Sequence, residues 1–407
     1  MNLFSTIKNY FSERISINEL SGAFGDFGTL VPITVSMTKK NVLQPCVSFF
    51  WGGISNIIAG LYWDVPMPIQ PMKTIASLSS SGVLKTKGDV AVAGLLTGLT
   101  AFVLGVTNTI QFVNKYIPKC CIAIVQCVTG IGLAMNGYTL INDINNWVNY
   151  DSYITAIICS FIVFINFTNN PYKDRFPSAL ILFIAGCILS IVITNQKTGF
   201  SYSFVNPFIP LTFTNDDWYN GFIQGAISQI PLTLLNSVVA IVDLSNSLYP
   251  EKSDRMTIRS TTFSLGLLNV GCIFGAVPTC HGSGGLAAQH KFGGRTGLSV
   301  VFLGIIKVIL ALIGGTVFNT LLMNFPNSIL GILLIICGAE LTKYGMKYVK
   351  DDGFIVSSGI AIGLASKIWI GFLTGIILHY IKFDLVQEKK IPINKNEIEL
   401  QQNNNQL

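Results

Sequence analysis

The 407-residue chain is 50% hydrophobic and only 11% charged, with a mean hydropathy of +0.56. A soluble domain carries about a quarter charged residues to wet its surface, so this composition excludes a water-soluble globular protein. The formal net charge of +6 falls mostly between the apolar runs, where the orientation signals of membrane proteins sit.

Met1–Ser16 is polar and mixed in charge and reads as a cytoplasmic N-terminal segment with no cleavable signal. Candidate membrane segments follow at about 17–38, 42–63, 66–82, 89–110, 118–139, 153–168 and 177–194. A second set lies at about 219–248, 260–277, 279–290, 297–317, 325–342, 353–366 and 367–382. Long runs such as Val300–Val317 and Ile355–Leu364 lack the period-two alternation of a membrane barrel. The expected class is therefore an all-α polytopic membrane protein. The membrane-spanning domain is placed at 17–382, with repeats over about 17–194 and 219–382 and a disordered polar tail over 383–407.

Three echoes between the halves support the repeat. Gly22-Ala23 matches Gly225-Ala226, Pro68-Ile69-Gln70 matches Pro278-Thr279-Cys280, and Leu133–Asn136 matches Cys337–Glu340. All three are offset by roughly the same distance and keep the same order, as a two-half transporter requires.

Three stretches carry polar chemistry. In Pro66–Lys73, three prolines within six residues forbid a continuous helix, because proline locks φ and has no N–H to donate. A helix can restart only near Met72, and its first turn presents unpaired N–H groups and a partial positive charge. Lys73 adds a full charge there, against the dipole preference, so the site calls for an anion. The alternative is an ordinary loop with Lys73 reaching an interface.

The second stretch, Val277–Gly285, combines a proline break with close glycines, the hydroxyls of Thr279 and Ser283, and His281. Glycines let backbone amides approach a ligand; the alternative is a packing turn. His281 reads as a hydrogen-bond donor or proton-sensitive group. The third, Glu19–Thr29, places Asp26 within an apolar run, where a carboxylate is a functional candidate by default. Asp26 either pairs with Lys73, carries a coupled proton, or is a structural partner. Asp26, Glu340, and Gln229 and Asn236 in the matching segment are assigned coupling or structural roles, and Lys307 and Glu340 read as buried candidates for structural pairing or interface positions. The nine cysteines lie mostly inside apolar runs without the spacing of a metal framework. No metal and no cofactor is expected, and no paired carboxylates or nucleophile–base set suggests an enzyme.

Gly25–Thr29 with its Gly-Asp-Phe-Gly-Thr, Pro66–Lys73, the Leu-Leu-Asn-Ser within Pro231–Ser237, and Gly275–Arg295 together resemble the molybdate transporter family, related to SulP-type sulfate transporters. The resemblance implies an inverted-repeat (7+7-like) SulP/uracil-permease-like fold. Core and gate domains and two half-helices meeting mid-membrane go with that fold. The function it implies is secondary active transport of molybdate. Transport of sulfate or another oxyanion, or a passive anion channel, is the alternative. Substrate contacts are expected from Gln70, Met72, Lys73, Thr74, Thr279, Cys280, His281, Gly282, Ser283 and Gly284. Expected partners are the oxyanion, the lipid bilayer, a coupled proton and a second copy of the chain, with no nucleic acid. The expected location is the plasma membrane or an internal membrane such as the vacuole.

Overall fold

The computed structural model describes residues 14–110, 116–164, 178–197, 199–346, 349 and 352–388. In the first half, α1 (Ile17–Ala23) and α2 (Phe27–Lys39) form one path broken by a 3-10 turn at Phe24–Asp26. Helix α3 (Pro45–Trp63) leads to a three-residue strand, β1 (Ile69–Pro71), and the short helix α4 (Lys73–Ser80). Helices α5 (Lys87–Val106), α6 (Lys119–Asn142), α7 (Tyr153–Phe164) and α8 (Ser178–Lys197) complete the half.

The second half opens on one helical path, α9 (Asn215–Leu248), which contains two π turns at Gly221–Ala226 and Leu235–Val239. Helix α10 (Ile258–Leu268) tightens into a 3-10 stretch at Asn269–Phe274. Strand β2 (Thr279–His281) and short helix α11 (Ser283–Lys291) follow. Four helices end the half: α12 (Leu298–Met323), α13 (Asn327–Met346), α14 (Gly353–Ala365) and α15 (Ile368–Glu388). Helix α15 thus runs past the boundary at Lys382 expected from sequence. The expected N-terminal segment up to Glu13 and the tail 389–407 lie outside the described residues.

Seven of these helices (α3, α5, α6, α8, α9, α12 and α13) are long and apolar enough to cross a bilayer. Helices α7, α8 and α12 present Phe161, Ile188 and Ile313 outward, each more than half exposed, a surface suited to hydrocarbon rather than water.

The order strand–short helix occurs once in each half, and the packing repeats with it. Helix α3 packs along α12, α5 along α10, and α6 along α13. In the first seam, a Cβ on Gly53 would lie 2.8 Å from the Gly304 carbonyl oxygen, and one on Gly60 would strike that of Gly297. In the second, a Cβ on Gly98 would lie 2.8 Å from Asn269 Cβ, and one on Gly105 3.0 Å from Phe263 N, beside Thr262. Gly53 and Gly60 of α3 therefore take the places of Thr262 and Asn269 of α10. Gly98 and Gly105 of α5 likewise take those of Gly297 and Gly304 of α12. Small residues let backbones approach where lipid offers no hydrophobic drive for helix association.

The third seam maps onto itself, because Gly130 abuts Gly338 and Gly137 abuts Gly331. This makes Gly130 equivalent to Gly331, so the sequence echo of Leu133 with Cys337 is displaced by about one helical turn. The glycine seam, not the echo, sets the register. It also corrects the expectation that Glu340 is buried, since the residue is exposed. Gly338 and Gly345 of α13 face α6, and at roughly 100° per residue the position two past Gly338 turns away from that contact.

Backbone atoms fill these seams, so a bulky side chain has nowhere to go. Gly53→Leu is expected to lower the apparent melting temperature of the detergent-purified protein and cut its monodisperse yield, since overpacking costs about 1–3 kcal/mol. The same change at Gly52, where a Cβ meets nothing within 4 Å, is expected to leave both unchanged.

Candidate functional site

Prolines end the helical path on both sides of the site, and the freed backbone is satisfied by a two-stranded ribbon. Strands β1 and β2 pair antiparallel, with Ile69 opposite His281, Gln70 opposite Cys280 and Pro71 opposite Thr279. All six residues are buried. Two further bonds close the ends: Met72 N–H donates to the Pro278 carbonyl at 2.8 Å, and Gly282 N–H to the Pro68 carbonyl at 3.2 Å. The echo of Pro68-Ile69-Gln70 with Pro278-Thr279-Cys280 is structurally in register, each proline standing immediately before its strand. Continuing that register sets Lys73 and Ser283, the first residues of α4 and α11, in equivalent places.

Two asparagines that sequence reasoning passed over hold the ribbon from outside. Asn56 of α3 accepts from Ile69 N–H at 2.7 Å. Asn269, at the end of α10, accepts from Thr279 N–H at 2.9 Å and donates to the Thr279 carbonyl at 2.9 Å. The bonded residues, Ile69 and Thr279, are equivalent in the two repeats. Lys307 of α12, 3% exposed, donates to the Ile69 carbonyl at 3.3 Å, in keeping with a structural role. Asn and Lys inside apolar helices were the available signal, since a buried polar group needs a partner.

The ribbon aims the starts of α4 and α11 at one another. Neither has a side-chain cap from its own N-cap residue, Met72 or Gly282. Helix α9 supplies partners from the side, and does so unequally. Gln229 Oε1 accepts from Thr74 N–H at 3.0 Å and Ile75 N–H at 3.3 Å, while its amide group donates to Thr233 Oγ1 at 2.7 Å. On the other start, Asn236 takes the Ser283 hydroxyl at 3.1 Å and leaves the backbone amides of α11 alone. The π turn at Leu235–Val239 carries Asn236. Such turns shift the face a helix presents and are frequent at functional sites.

Lys73 is half-buried and makes no hydrogen bond or ion pair among the described residues. Its ammonium group reaches α11: a methyl group placed on Gly284 would lie 3.9 Å from Lys73 Nζ. Gln70 packs its amide against the α11 start, where a Cβ on Gly285 would lie 2.6 Å from Gln70 Nε2 and one on Gly282 would overlap the side chain. Close approach therefore requires glycine at both positions. Thr74, fully buried, shares its hydroxyl with Thr129 at 3.3 Å.

The structure so gathers Gln70, Met72, Lys73, Thr74, Cys280, Gly282, Ser283 and Gly284 around one junction. It parts His281 and Thr279 from it. Residues opposite in an antiparallel pair share a face and alternate along the strand, so His281 and Thr279 lie with Ile69 and Pro71, across the ribbon from Gln70 and Cys280. His281 is fully buried with its ring edge-on to Trp63 at 5.0 Å, and its ring nitrogens have no aligned partner among the described residues. The Asp26 backbone lies in the 3-10 turn of the first path. Its neighbour Gly25 packs on Ala288 of α11, where a Cβ would lie 2.9 Å from the carbonyl group. The Asp26 side chain lies outside the described residues. Glu340 is on α13, on the far side of its glycine seam.

Two inverted repeats with facing half-helix starts define a membrane transporter of SulP-type architecture, a multi-pass integral membrane protein. The transmembrane domain of a cyanobacterial bicarbonate transporter superposes with a TM-score of 0.62 at 15% identity, covering 89% of this chain and 98% of that one. The murine solute carrier 26 family member A9, an anion transporter in the inward-facing state, gives 0.67 at 15% identity over 92% and 69% of the two chains.

Sequence narrows this class. A family described as "Molybdate transporter of MFS superfamily" matches residues 18–133 and 221–341. Molybdate transporter 1 of Arabidopsis thaliana is 33% identical over 93% of this chain and 91% of its own length. Molybdate transporter 2 of the same plant is 34% identical over 89% and 87%, and Molybdate transporter 1 of Chlamydomonas reinhardtii 26% over 89% and 91%. The chain belongs to the molybdate transporter family.

Gln229 offers a charge test of the junction that preserves side-chain size. Gln229→Glu keeps an acceptor for the α4 amides but adds a negative charge beside the proposed anion. Uptake by cells expressing this variant is expected to fall about tenfold or more, a change of about 1.4 kcal/mol or more, at unchanged membrane abundance.

Proposed function

We propose that this chain carries molybdate across the membrane by secondary active transport, holding the dianion between the first turns of α4 and α11. The transporter unit is assigned to residues 17–382 and its repeats to about 17–194 and 219–382. The observation that carries the reading is Lys73, a half-buried cation with no carboxylate partner among the described residues, set where two helix N-termini converge. Each helix start is equivalent to roughly +0.5 charge. With the ammonium group the junction offers about +2, which matches a tetrahedral dianion. Charge-assisted bonds from N–H and ammonium donors are stronger than neutral ones, so the site favours an oxyanion over an apolar solute.

The roles are unequal. Lys73 supplies the charge, and the amides of Ser283 and Gly284, with no capping side chain, supply the directed donors. The Ser283 hydroxyl donates its one proton to Asn236, so it could donate to the anion only by turning away from that residue. Gln229 already occupies two amides of α4, so it positions that half-helix rather than leaving it wholly to the anion. Rocking of α6, α13 and their neighbours against the elements that carry the ribbon would expose the junction alternately to each side. Proton coupling and homodimerisation belong to the same proposal, and no catalytic step is assigned.

Lys73→Ala is expected to abolish molybdate accumulation while leaving the protein in the membrane, and unchanged accumulation would remove the site. Excess tungstate is expected to suppress uptake of labelled molybdate more strongly than excess sulfate does. Collapsing the proton gradient is expected to end accumulation above equilibrium, which a passive channel would never have reached.

A further inference from the structure

Away from the ribbon, the start of α6, the cap of α14 and the middle of α15 bring three different donor atoms together. Cys120 Sγ lies 3.8 Å from His379 Nδ1, across 259 residues of sequence. The same His379 nitrogen lies 3.8 Å from Asp352 Oδ2. All three atoms are within 4.8 Å of one another. Cys120 is buried, while the side chains of Asp352 and His379 are 20% and 31% exposed. The cluster therefore has one closed side and one open to entry.

We propose that Cys120, Asp352 and His379 form a zinc-binding site separate from the molybdate junction. The donor set is one sulfur, one imidazole nitrogen and one carboxylate oxygen, all standard zinc ligands. Tetrahedral zinc with ordinary bond lengths places a thiolate and an imidazole nitrogen about 3.6 Å apart, and an imidazole nitrogen and a carboxylate oxygen about 3.4 Å apart. The observed separations need contractions of only a few tenths of an ångström at His379, and a larger movement of Asp352 towards Cys120.

The surroundings suit that geometry. Lys382 Nζ holds the other carboxylate oxygen, Asp352 Oδ1, at 2.8 Å, which leaves Oδ2 as a single-oxygen ligand. Hydrogen bonds to the second oxygen commonly orient ligating carboxylates. Tyr380, the residue after His379, anchors α15 by donating its hydroxyl to the Tyr116 carbonyl at 2.8 Å. Three protein ligands leave a fourth position for water. Binding would tie α14 and α15 to the start of α6, and would stabilise those helices without touching the ribbon. Sequence spacing hid the site, since its ligands come from three distant helices and form no local motif.

The test uses full-length protein purified in detergent, with Co²⁺ as a spectroscopic probe and Zn²⁺ as competitor. The wild type is expected to show a thiolate-to-cobalt charge-transfer band, displaced by about one equivalent of Zn²⁺, and Zn²⁺ is expected to raise its melting temperature. Cys120→Ser is expected to abolish the band, and His379→Ala to weaken zinc binding by about tenfold or more. Cys127→Ser, seven residues further along the same helix, is expected to keep both signals. No charge-transfer band in the wild type would overturn the proposal, whether or not any variant folds. So would an unchanged band in Cys120→Ser, or zinc affinity in His379→Ala equal to that of the wild type. Molybdate uptake reports separately on the transport reading: its loss in every preparation with zinc binding intact would count against that reading alone.

Discussion

Everything in this fold that bears on an anion depends on the pairing of Ile69–Pro71 with Thr279–His281. A helix broken inside an apolar bundle frees backbone groups that neither lipid nor side-chain hydrocarbon can satisfy, and each left unpaired costs several kcal/mol. The prolines create that problem on both halves, and the halves solve it for each other. The strand from one repeat supplies the partners of the strand from the other, and Asn56 and Asn269 complete the set. The consequence is geometric: two helix starts are fixed face to face. Neither half could build this arrangement alone.

The same symmetry that builds the junction is broken within it. Lys73 stands in the place that Ser283 takes in the second repeat, so one start carries a fixed charge and the other a hydroxyl. Gln229 covers amides of α4, while the α11 start has no cap from its own N-cap residue: Gln70 packs on Gly282 and Gly285, and Gly284 stays open towards Lys73. A start with a lysine and a start without one together form a more useful cradle than two of either kind. Two uncompensated lysines would repel one another, and two starts without one would lack the second unit of charge that a dianion requires. The glycine seams outside the junction do a different job. They bring α3 to α12, α5 to α10 and α6 to α13 at backbone distance, which keeps each packed pair rigid.

Much of this was legible because proline and glycine speak through local sterics. Pro66, Pro68, Pro71 and Pro278 forbid helix wherever they stand, and Lys73 at a helix start is anomalous without any structure. What stayed hidden depends on register and long-range contact. Whether His281 faces the junction is decided by which residue it pairs with, and pairing with Ile69 turns it toward Trp63. Gln229 and Asn236 were visible as polar residues in an apolar segment. Only the approach of α9 to both half-helices assigns one to amides and the other to a hydroxyl. Glu340 looked buried because its run is apolar, but the seam through Gly338 and Gly345 fixes which side of α13 is inside. Cys120, Asp352 and His379 share no local pattern at all.

The most direct test of the account is the location of the bound anion. Tungstate has the shape and charge of molybdate and scatters far more strongly, so a density map of the purified transporter with tungstate would mark its position. The account predicts one strong peak between the first turns of α4 and α11, within charge-assisted contact of Lys73 Nζ and the amides of Ser283 and Gly284, and absent in Lys73→Ala. A single peak elsewhere in the bundle, or one at the junction that persists in Lys73→Ala, would contradict it.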